Sequence, residues 1–137
     1  MTEKERLKEK ERYTFEDLKA IMRILRSEDG CPWDRKQTHE SLIPCLKEET
    51  DEVIEAIEKQ DMGNLCEELG DLLFQVMSHS RIAEESGFFT IDDVVHQISA
   101  KMVRRHPNVF GDVKVESAEE GLALWKRIKS QEKSEKS

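Results

Sequence analysis

The sequence predicts an all-α protein with a four-helix-bundle-like core and an additional C-terminal helix. Hydrophobic residues make up 36% of the 137 residues and charged residues 38%, with 6 glycines and 3 prolines, a composition typical of amphipathic helices with charged exposed faces. Apolar residues recur at i, i+3 and i+4, and no segment alternates convincingly like a half-buried strand. One domain is expected over residues 13–129, between a disordered charged lead-in at 1–12 and a charged tail at 130–137.

Capping residues and turn formers give the order of the helices. The predicted helices run from Thr14 to near Ser27, from about His39 to Lys59, from about Asn64 to Glu85, from Thr90 to the residue before Pro107, and from Ser117 onward. Capping boxes such as Thr14-x-x-Asp17 open three of them. Pro44 lies close enough to the start of the second helix to be tolerated or to delay that start by a turn. A short connection makes the second and third helices antiparallel neighbours.

Composition also limits the location and partners of the chain. No apolar run approaches the roughly 18 residues of a membrane span, and the first residues lack the apolar region of a signal peptide, so we expect a cytoplasmic protein that does not enter membranes. Cys31, Cys45 and Cys66 form neither a C-x-x-C pair nor an even set, which predicts reduced thiols, with Cys66 in the core. The net charge of −8 argues against a nucleic-acid partner, which usually requires a basic face.

The acidity of the chain is concentrated in one segment. From Glu48 to Asp71, ten acidic residues stand against one base, Lys59, a local charge of −9 compared with −8 for the whole chain. The apolar stripes of the second and third helices pass through Glu49 and Glu68. Unpaired carboxylates on a buried stripe are destabilising, and a hard divalent cation with oxygen ligands is the simplest way to neutralise them. A solvated acidic hairpin is the alternative.

Paired carboxylates predict which oxygens would bind that cation. Side chains three residues apart share one helix face. Two such pairs face each other on the second and third helices, Glu49 with Glu52 and Glu68 with Asp71. All-oxygen ligands suit Mg²⁺ or Mn²⁺. A ferritin-like di-iron site would instead require Glu-x-x-His pairs, which the sequence lacks, and the nearest pattern, at residues 93–96, fits an ordinary histidine better than a ligand.

The carboxylates belong to a longer set of motifs. These are Glu48-Glu49-x-x-Glu52 with Glu68-x-x-Asp71, Cys31-Pro-Trp-Asp-x-x-Gln-Thr-His39, Glu68-Leu-Gly-Asp-Leu-Leu-Phe-Gln75 and Arg104-Arg-His-Pro-x-Val-Phe110. Together they resemble the MazG-like nucleoside triphosphate pyrophosphohydrolases, from about Leu18 to Lys129. The resemblance implies an all-α, usually dimeric fold that cleaves between the α and β phosphates and releases a nucleoside monophosphate and pyrophosphate.

The resemblance also implies roles for the acidic residues. Those that would bind Mg²⁺, with Mn²⁺ possible, are Glu49, Glu52, Glu68 and Asp71. Glu48 completes the implied catalytic set as a residue that orients a water or a second metal, although an exposed helical glutamate is an equal alternative. The metal would polarise the phosphoryl oxygens and lower the pKa of a bound water, which attacks phosphorus in line.

Basic and aromatic residues are candidate ligands for the rest of a nucleotide. Lys101, Arg104 and Arg105 would bind phosphates, or would form a basic helix end that complements the helix macrodipole. Trp125 and Lys129, four residues apart on the last helix, fit a base-stacking ring beside a phosphate-binding ammonium, or Trp125 lies in the core.

The segment after the first helix supplies further candidate binding residues. Loops with turn formers, an aromatic and several polar side chains often bind ligands. The candidates are Trp33, Asp34, Gln37 and His39. Trp33 would stack on the base while Asp34 or Gln37 reads its edge, and a structural Cys-Pro-Trp turn is the alternative.

We therefore expect a Mg²⁺-dependent nucleoside triphosphate pyrophosphohydrolase that forms a homodimer or higher homo-oligomer, because apolar faces on every predicted helix exceed what one small chain covers. Narrower-substrate relatives, an all-α dUTPase or a phosphoribosyl-ATP pyrophosphohydrolase, would share the carboxylate pattern. A non-catalytic nucleotide-sensing module and a structural helical bundle are the remaining alternatives. Base and sugar preference stay open.

Overall fold

A computed structural model describes residues 1–136 of the chain. Every regular element in that range is a helix: α1 (Glu3–Glu9), α2 (Phe15–Leu25), α3 (Pro32–Arg35), α4 (Ile43–Glu58), α5 (Met62–Glu85), α6 (Ile91–Arg105), α7 (Pro107–Phe110) and α8 (Ala118–Lys136). The predicted all-α class is confirmed. The chain divides into two compact units, the first ending at Ile91 and the second starting at Asp92, so one domain over residues 13–129 stays a prediction.

The lead-in at residues 1–12 differs from the expected disordered segment because it contains α1. The Thr2 hydroxyl accepts a hydrogen bond from the amide of Glu5, and the Glu5 carboxylate accepts one from the amide of Thr2. Leu7 is buried, and the Tyr13 hydroxyl donates to its carbonyl over 2.7 Å. A capping box and one buried leucine therefore stabilise a helix in a segment whose composition suggested none.

The segment that follows α2 is fixed by one arginine and one glycine. Arg26 Nη1 donates to the carbonyls of Asp34, at 2.6 Å, and Gln37, at 3.2 Å. Its Nε and Nη2 form a bidentate pair with Glu85 at the end of α5, both at 2.9 Å. Gly30 lies against the last carbonyls of α2, where a Cβ would come within 2.2 Å of an oxygen. Arg26 thus joins this segment to two long helices.

An antiparallel hairpin of α4 and α5 contains the acidic segment. The helix α4 begins one turn later than the predicted start, since Pro44 occupies its first turn. Gln60, with a φ of 56°, makes the tight connection, and Asp61 caps α5 by accepting a hydrogen bond from the amide of Asn64 at 3.1 Å. The buried residues of the two helices are Val53, Ala56, Gln75, Met77, Ser78, Ser80 and Ala83. Cys66 is exposed, so its predicted place in the core is wrong.

The second unit contains α7, α8 and all but the first residue of α6. Its buried leucine is Leu124, 5% exposed. Where the sequence predicted a charged tail at residues 130–137, α8 continues as far as Lys136, and Ser137 lies outside the described residues. None of the helices within residues 1–136 is long and apolar enough to cross a membrane.

Candidate metal and nucleotide site

Four carboxylates meet between α4 and α5, in what we call the carboxylate cluster. One oxygen from each of Glu49, Glu52, Glu68 and Asp71 lies within 4.8 Å of the other three. Three of these residues are half-buried and Asp71 is exposed. The hairpin therefore brings together the two predicted pairs. Glu48 is exposed on α4 and lies outside this group of four.

Two members of the carboxylate cluster have an unsatisfied oxygen. Oε2 of Glu49 and Oε2 of Glu68 have almost no contact with solvent, and neither has a hydrogen-bond partner among the described residues. Buried polar atoms in folded proteins are nearly always paired. These oxygens are therefore candidate ligand atoms for a cation.

The electrostatics of the cluster favour protonation of its inner carboxylates. Burial raises the pKa of Glu49 above its usual 4.5, and the charge of Glu52 adds to the rise. The pKa of Glu68 rises to about 7, first because a protonated Glu68 can share a hydrogen bond with Glu52, and then because of burial. A divalent cation among these oxygens would favour their charged forms instead.

A cavity of about 100 Å³ lies in the first unit, bounded in part by α5. Its walls include three predicted residues, Trp33, Asp34 and Gln37, which the structure places together against Phe74 and Gln75. Sequence reasoning included Gln75 only as the last residue of the motif that begins at Glu68 and did not name it as a binding candidate. Its position one turn after the last cluster carboxylate was the available clue.

Hydrogen bonds within the turn occupy both ends of the Gln37 amide. Nε2 donates to the carbonyl of Trp33 and Oε1 accepts from the hydroxyl of Ser41, both over 2.8 Å. This arrangement supports the structural alternative for Gln37. Trp33 is 53% exposed, so its ring has surface left for a ligand.

His39 contacts a second histidine that sequence reasoning also missed. Its Nδ1 lies 2.7 Å from Nδ1 of His79 on α5, and the two rings stack with centroids 5.0 Å apart and 4° between planes. Burial, and then the charge of His39, lower the pKa of His79. His39 is not among the residues that line the cavity.

The predicted residues of the second unit form their own group, which we call the arginine cluster. Arg104 and Arg105 both form ion pairs with Glu132. The Arg105 guanidinium lies 5.7 Å from the ring centroid of Trp125, and the Lys129 ammonium lies 5.1 Å from it. Trp125 is therefore covered by cations, which are favourable neighbours for an aromatic face.

Glu132 is the residue of the arginine cluster that the sequence did not reveal. It lies in the segment predicted as a charged tail, 28 residues from Arg104 in the chain. Hydrogen bonds from Arg104 and then from Arg105 hold its pKa at about 2. Lys101, the remaining predicted cation, is half-buried on α6.

Most of the chain is similar in sequence to known proteins. Residues 37–110 match the model of the MazG nucleotide pyrophosphohydrolase domain. The chain is 52% identical over 122 residues to the nucleoside triphosphate pyrophosphohydrolase/pyrophosphatase MazG of Thermotoga maritima, covering 89% of this chain and 46% of that protein. It is 47% identical over 120 residues to the nucleoside triphosphate pyrophosphohydrolase of Escherichia coli K12, covering 87% of this chain and 46% of that protein.

A solved structure is similar as well. The crystal structure of a MazG-related protein from Thermotoga maritima matches with a TM-score of 0.66 and 32% identity, covering 92% of this chain and 98% of that one. The chain spans less than half the length of the two sequence relatives named above.

Proposed function

The chain belongs to the family of MazG nucleotide pyrophosphohydrolase domains, and on this premise we propose that it is a Mg²⁺-dependent nucleoside triphosphate pyrophosphohydrolase. The reaction would cleave between the α and β phosphates and release a nucleoside monophosphate and pyrophosphate. The observation that supports it most is the carboxylate cluster, with four oxygens within 4.8 Å and two buried oxygens unpaired. The names of two relatives support the same reaction class.

The carboxylate cluster fits the proposed metal. Its donors are all carboxylate oxygens, which Mg²⁺ prefers and Mn²⁺ accepts. Glu49, Glu52, Glu68 and Asp71 would hold the ion. When bound, Mg²⁺ supplies Lewis-acid activation of the phosphoryl group and lowers the pKa of a water nucleophile. Glu48, exposed beside Glu49 on α4, would orient that water.

Within the second unit, the basic residues are candidate ligands for phosphate groups. Glu132 engages Nε of Arg104, and Nε and Nη2 of Arg105. Each guanidinium has five N–H donors, so each keeps donors for phosphate oxygens while Glu132 fixes its orientation. Lys101 and Lys129 would add ammonium groups. Trp33, which is 53% exposed, is a better base-stacking candidate than Trp125, whose ring two cations already approach.

A product analysis tests the proposed reaction. The eight common ribo- and deoxyribonucleoside triphosphates would be incubated with the protein in Mg²⁺ or in excess chelator. Monophosphate and pyrophosphate are expected, and both should disappear with chelator and in Glu68→Ala. The matched control is Glu67→Ala, because Glu67 is an exposed neighbour outside the carboxylate cluster. Diphosphate and orthophosphate would contradict the cleavage site, and nucleotide binding without turnover would favour a sensing module.

We also propose that the chain forms a homodimer through the hairpin. Exposed apolar side chains follow one stripe on each helix: Ile43, Leu46, Ile54 and Ile57 on α4, and Met62, Leu69, Leu73 and Val76 on α5. Each is between 36% and 61% exposed. Large apolar side chains exposed in line on a helix favour an interface, and a second copy would cover them with the same two stripes, as a two-fold interface requires.

Solution mass tests the homodimer. Light scattering should give twice the 16.0 kDa mass of the chain, and Leu73→Lys should halve the measured mass, because a charge would be buried in the apolar interface. Glu67→Lys is the control on the same helix. A monomer mass for the unmodified protein at every concentration would contradict the homodimer.

A further inference from the structure

Arg26 uses most of its hydrogen-bond donors inside the first unit. Its side chain is 9% exposed. A guanidinium has five N–H donors, and this one forms four hydrogen bonds, two to the Glu85 carboxylate and two to the backbone carbonyls of Asp34 and Gln37. A cation so occupied has little capacity left for a phosphate. Arg26 therefore acts on the elements that it joins rather than on a ligand.

The short helix α3 depends on contacts from outside itself. It has four residues, and a helix of that length is not stable alone. At its start, the amide of Cys31 donates to the carbonyl of Leu25 over 2.9 Å. Arg35 donates to the carbonyl of Glu28 at the exposed surface, over 3.1 Å. The carbonyls at a helix end need donors, and at the end of α3 Arg26 supplies them.

Trp33 lies within α3, so its place follows from the place of that helix. The residue is 53% exposed, and it lines the same cavity as Arg26 and Phe74. Its carbonyl accepts a hydrogen bond from Nε2 of Gln37 over 2.8 Å, a contact within the same segment. The link from this segment to the end of α5 passes through the Arg26 guanidinium.

We propose that Arg26 is a positioning residue, which holds α3 against α5 so that Trp33 can stack on the base of a nucleotide. Lysine would keep a positive charge near Glu85. It would not hold both elements, because its donors share one nitrogen whereas the guanidinium has a planar fork of donors. The inference rests on the proposed function in taking Trp33 as the residue that stacks on the base.

Arg81 offers a matched comparison, because it pairs with the same glutamate from within α5. Its Nε lies 3.6 Å from a Glu85 oxygen, and its Nη1 donates to Glu84 over 2.8 Å. If the ion pair with Glu85 only stabilised the fold, Arg26→Lys and Arg81→Lys would have similar effects. If the bonds to the carbonyls after α2 position Trp33, Arg26→Lys alone should affect Trp33 and nucleotide binding.

The fluorescence of Trp33 tests the positioning directly. The chain has two tryptophans, so Trp33 is the one that remains in a Trp125→Phe background. Adding Arg26→Lys should move its emission to longer wavelength and increase its quenching by acrylamide, because α3 would separate from α5 and expose more of the ring. Adding Arg81→Lys should leave both signals unchanged.

Nucleotide binding tests the consequence without requiring turnover. Calorimetry in Mg²⁺ would measure the affinities of AMP, GMP, CMP and UMP, and the monophosphate that binds most tightly would be used for the variants. Its affinity should fall about tenfold in Arg26→Lys, which is within the range for loss of one base–aromatic stack. Arg81→Lys should bind it normally. The rise of the melting temperature with Mg²⁺ should be the same in both variants, because the carboxylate cluster is intact.

The outcomes separate this inference from the proposed function. Unchanged emission and affinity in Arg26→Lys, equal changes in Arg26→Lys and Arg81→Lys, or a Trp33 emission that none of the monophosphates alters would each overturn the role of Arg26. Nucleotide binding that depends on Arg26, in a protein that hydrolyses no triphosphate, would sustain the inference and defeat the proposed reaction.

Thermal melting would show whether Arg26→Lys is folded at the temperature of the assays. If it is not, Glu85→Gln replaces it, because this change weakens the bidentate pair and leaves the arginine in place. Its control is Glu84→Gln, since Glu84 pairs with Arg81. The emission and affinity should change in the same direction in Glu85→Gln and stay constant in Glu84→Gln, and equal behaviour of these two variants would also overturn the role of Arg26.

Discussion

The carboxylate cluster and the arginine cluster differ in how their charge is balanced. In the carboxylate cluster, Glu68 lies among other acids, one of its oxygens is buried and unpaired, and its pKa rises to about 7. In the arginine cluster, Glu132 accepts hydrogen bonds from Arg104 and Arg105, and its pKa falls to about 2. The same side chain is destabilised as an anion in one place and stabilised in the other. Unbalanced charge indicates where an external cation is needed, whereas balanced charge can stabilise the fold alone.

Substitutions in the two clusters should differ most in their effect on the kinetic constants of hydrolysis. Glu68→Gln removes a proposed metal ligand. Mutation of a residue that only supports a metal ligand typically lowers metal affinity or activity by about 10–100-fold. Loss of the ligand itself should therefore lower kcat/KM by at least about 100-fold. Glu132→Gln should raise KM, because Arg104 and Arg105 lose the group that orients them, and should leave kcat nearly unchanged. Steady-state release of pyrophosphate measures both. Similar losses of kcat in the two variants would break the comparison.

Thermal stability without metal should change in opposite directions. Glu68→Gln removes a charge from a repulsive group and should raise the melting temperature in excess chelator. Glu132→Gln leaves two guanidinium groups without their anion and should lower it by a few degrees. Calorimetric melts measure both shifts, with Glu67→Gln as a control expected to change little. Shifts of the same sign in the two variants would show that the clusters do not differ as described.

The pH dependence of stability should give a smaller effect that sharpens the comparison. The pKa of Glu68 is about 7 in the folded chain and 4.5 for the ordinary group, so between these values the folded state holds a proton that the unfolded chain has lost. Metal-free stability should therefore fall as pH rises through this window. For Glu132 the shift from 4.5 to about 2 has the opposite sign, and its contribution is lost as pH falls towards 2.

Melting temperatures measured against pH in chelator test the signs. The slope between the two Glu68 values should flatten in Glu68→Gln and should persist in Glu132→Gln. A metal-free protein whose stability increases across that window would contradict the repulsion inferred for the carboxylate cluster.

The sequence predicted the carboxylate cluster because helical periodicity determines which side chains share a face. Two carboxylates three residues apart share one face of a helix, and a short connection makes the two helices antiparallel neighbours. The structure places Glu49, Glu52, Glu68 and Asp71 together, as this reasoning predicted. Local signals also gave the main helices and all-α class. The delayed start of α4 followed from Pro44, whose effect within the first turn is local too.

The parts of the candidate site that sequence reasoning missed depend on contacts between distant residues. Arg26, which lines the cavity beside Gln75, joins the segment after α2 to Glu85, which is 59 residues away. The pairing of Glu132 with Arg105 spans 27 residues. Neither contact can be predicted from the periodicity of apolar residues along the sequence. Charge composition also misled at residues 1–12, where the Thr2 capping box and buried Leu7 stabilise α1.

The most direct test of the central claim is the melting temperature of the protein as Mg²⁺ is added, at about pH 8, where Glu68 is charged. A ligand that binds only the folded state stabilises it in proportion to the logarithm of its concentration above Kd. We expect the melting temperature to rise with Mg²⁺ in the unmodified protein and in Glu132→Gln, and to stay constant in Glu68→Gln. No rise in the unmodified protein, or an equal rise in Glu68→Gln, would contradict a metal site at the carboxylate cluster.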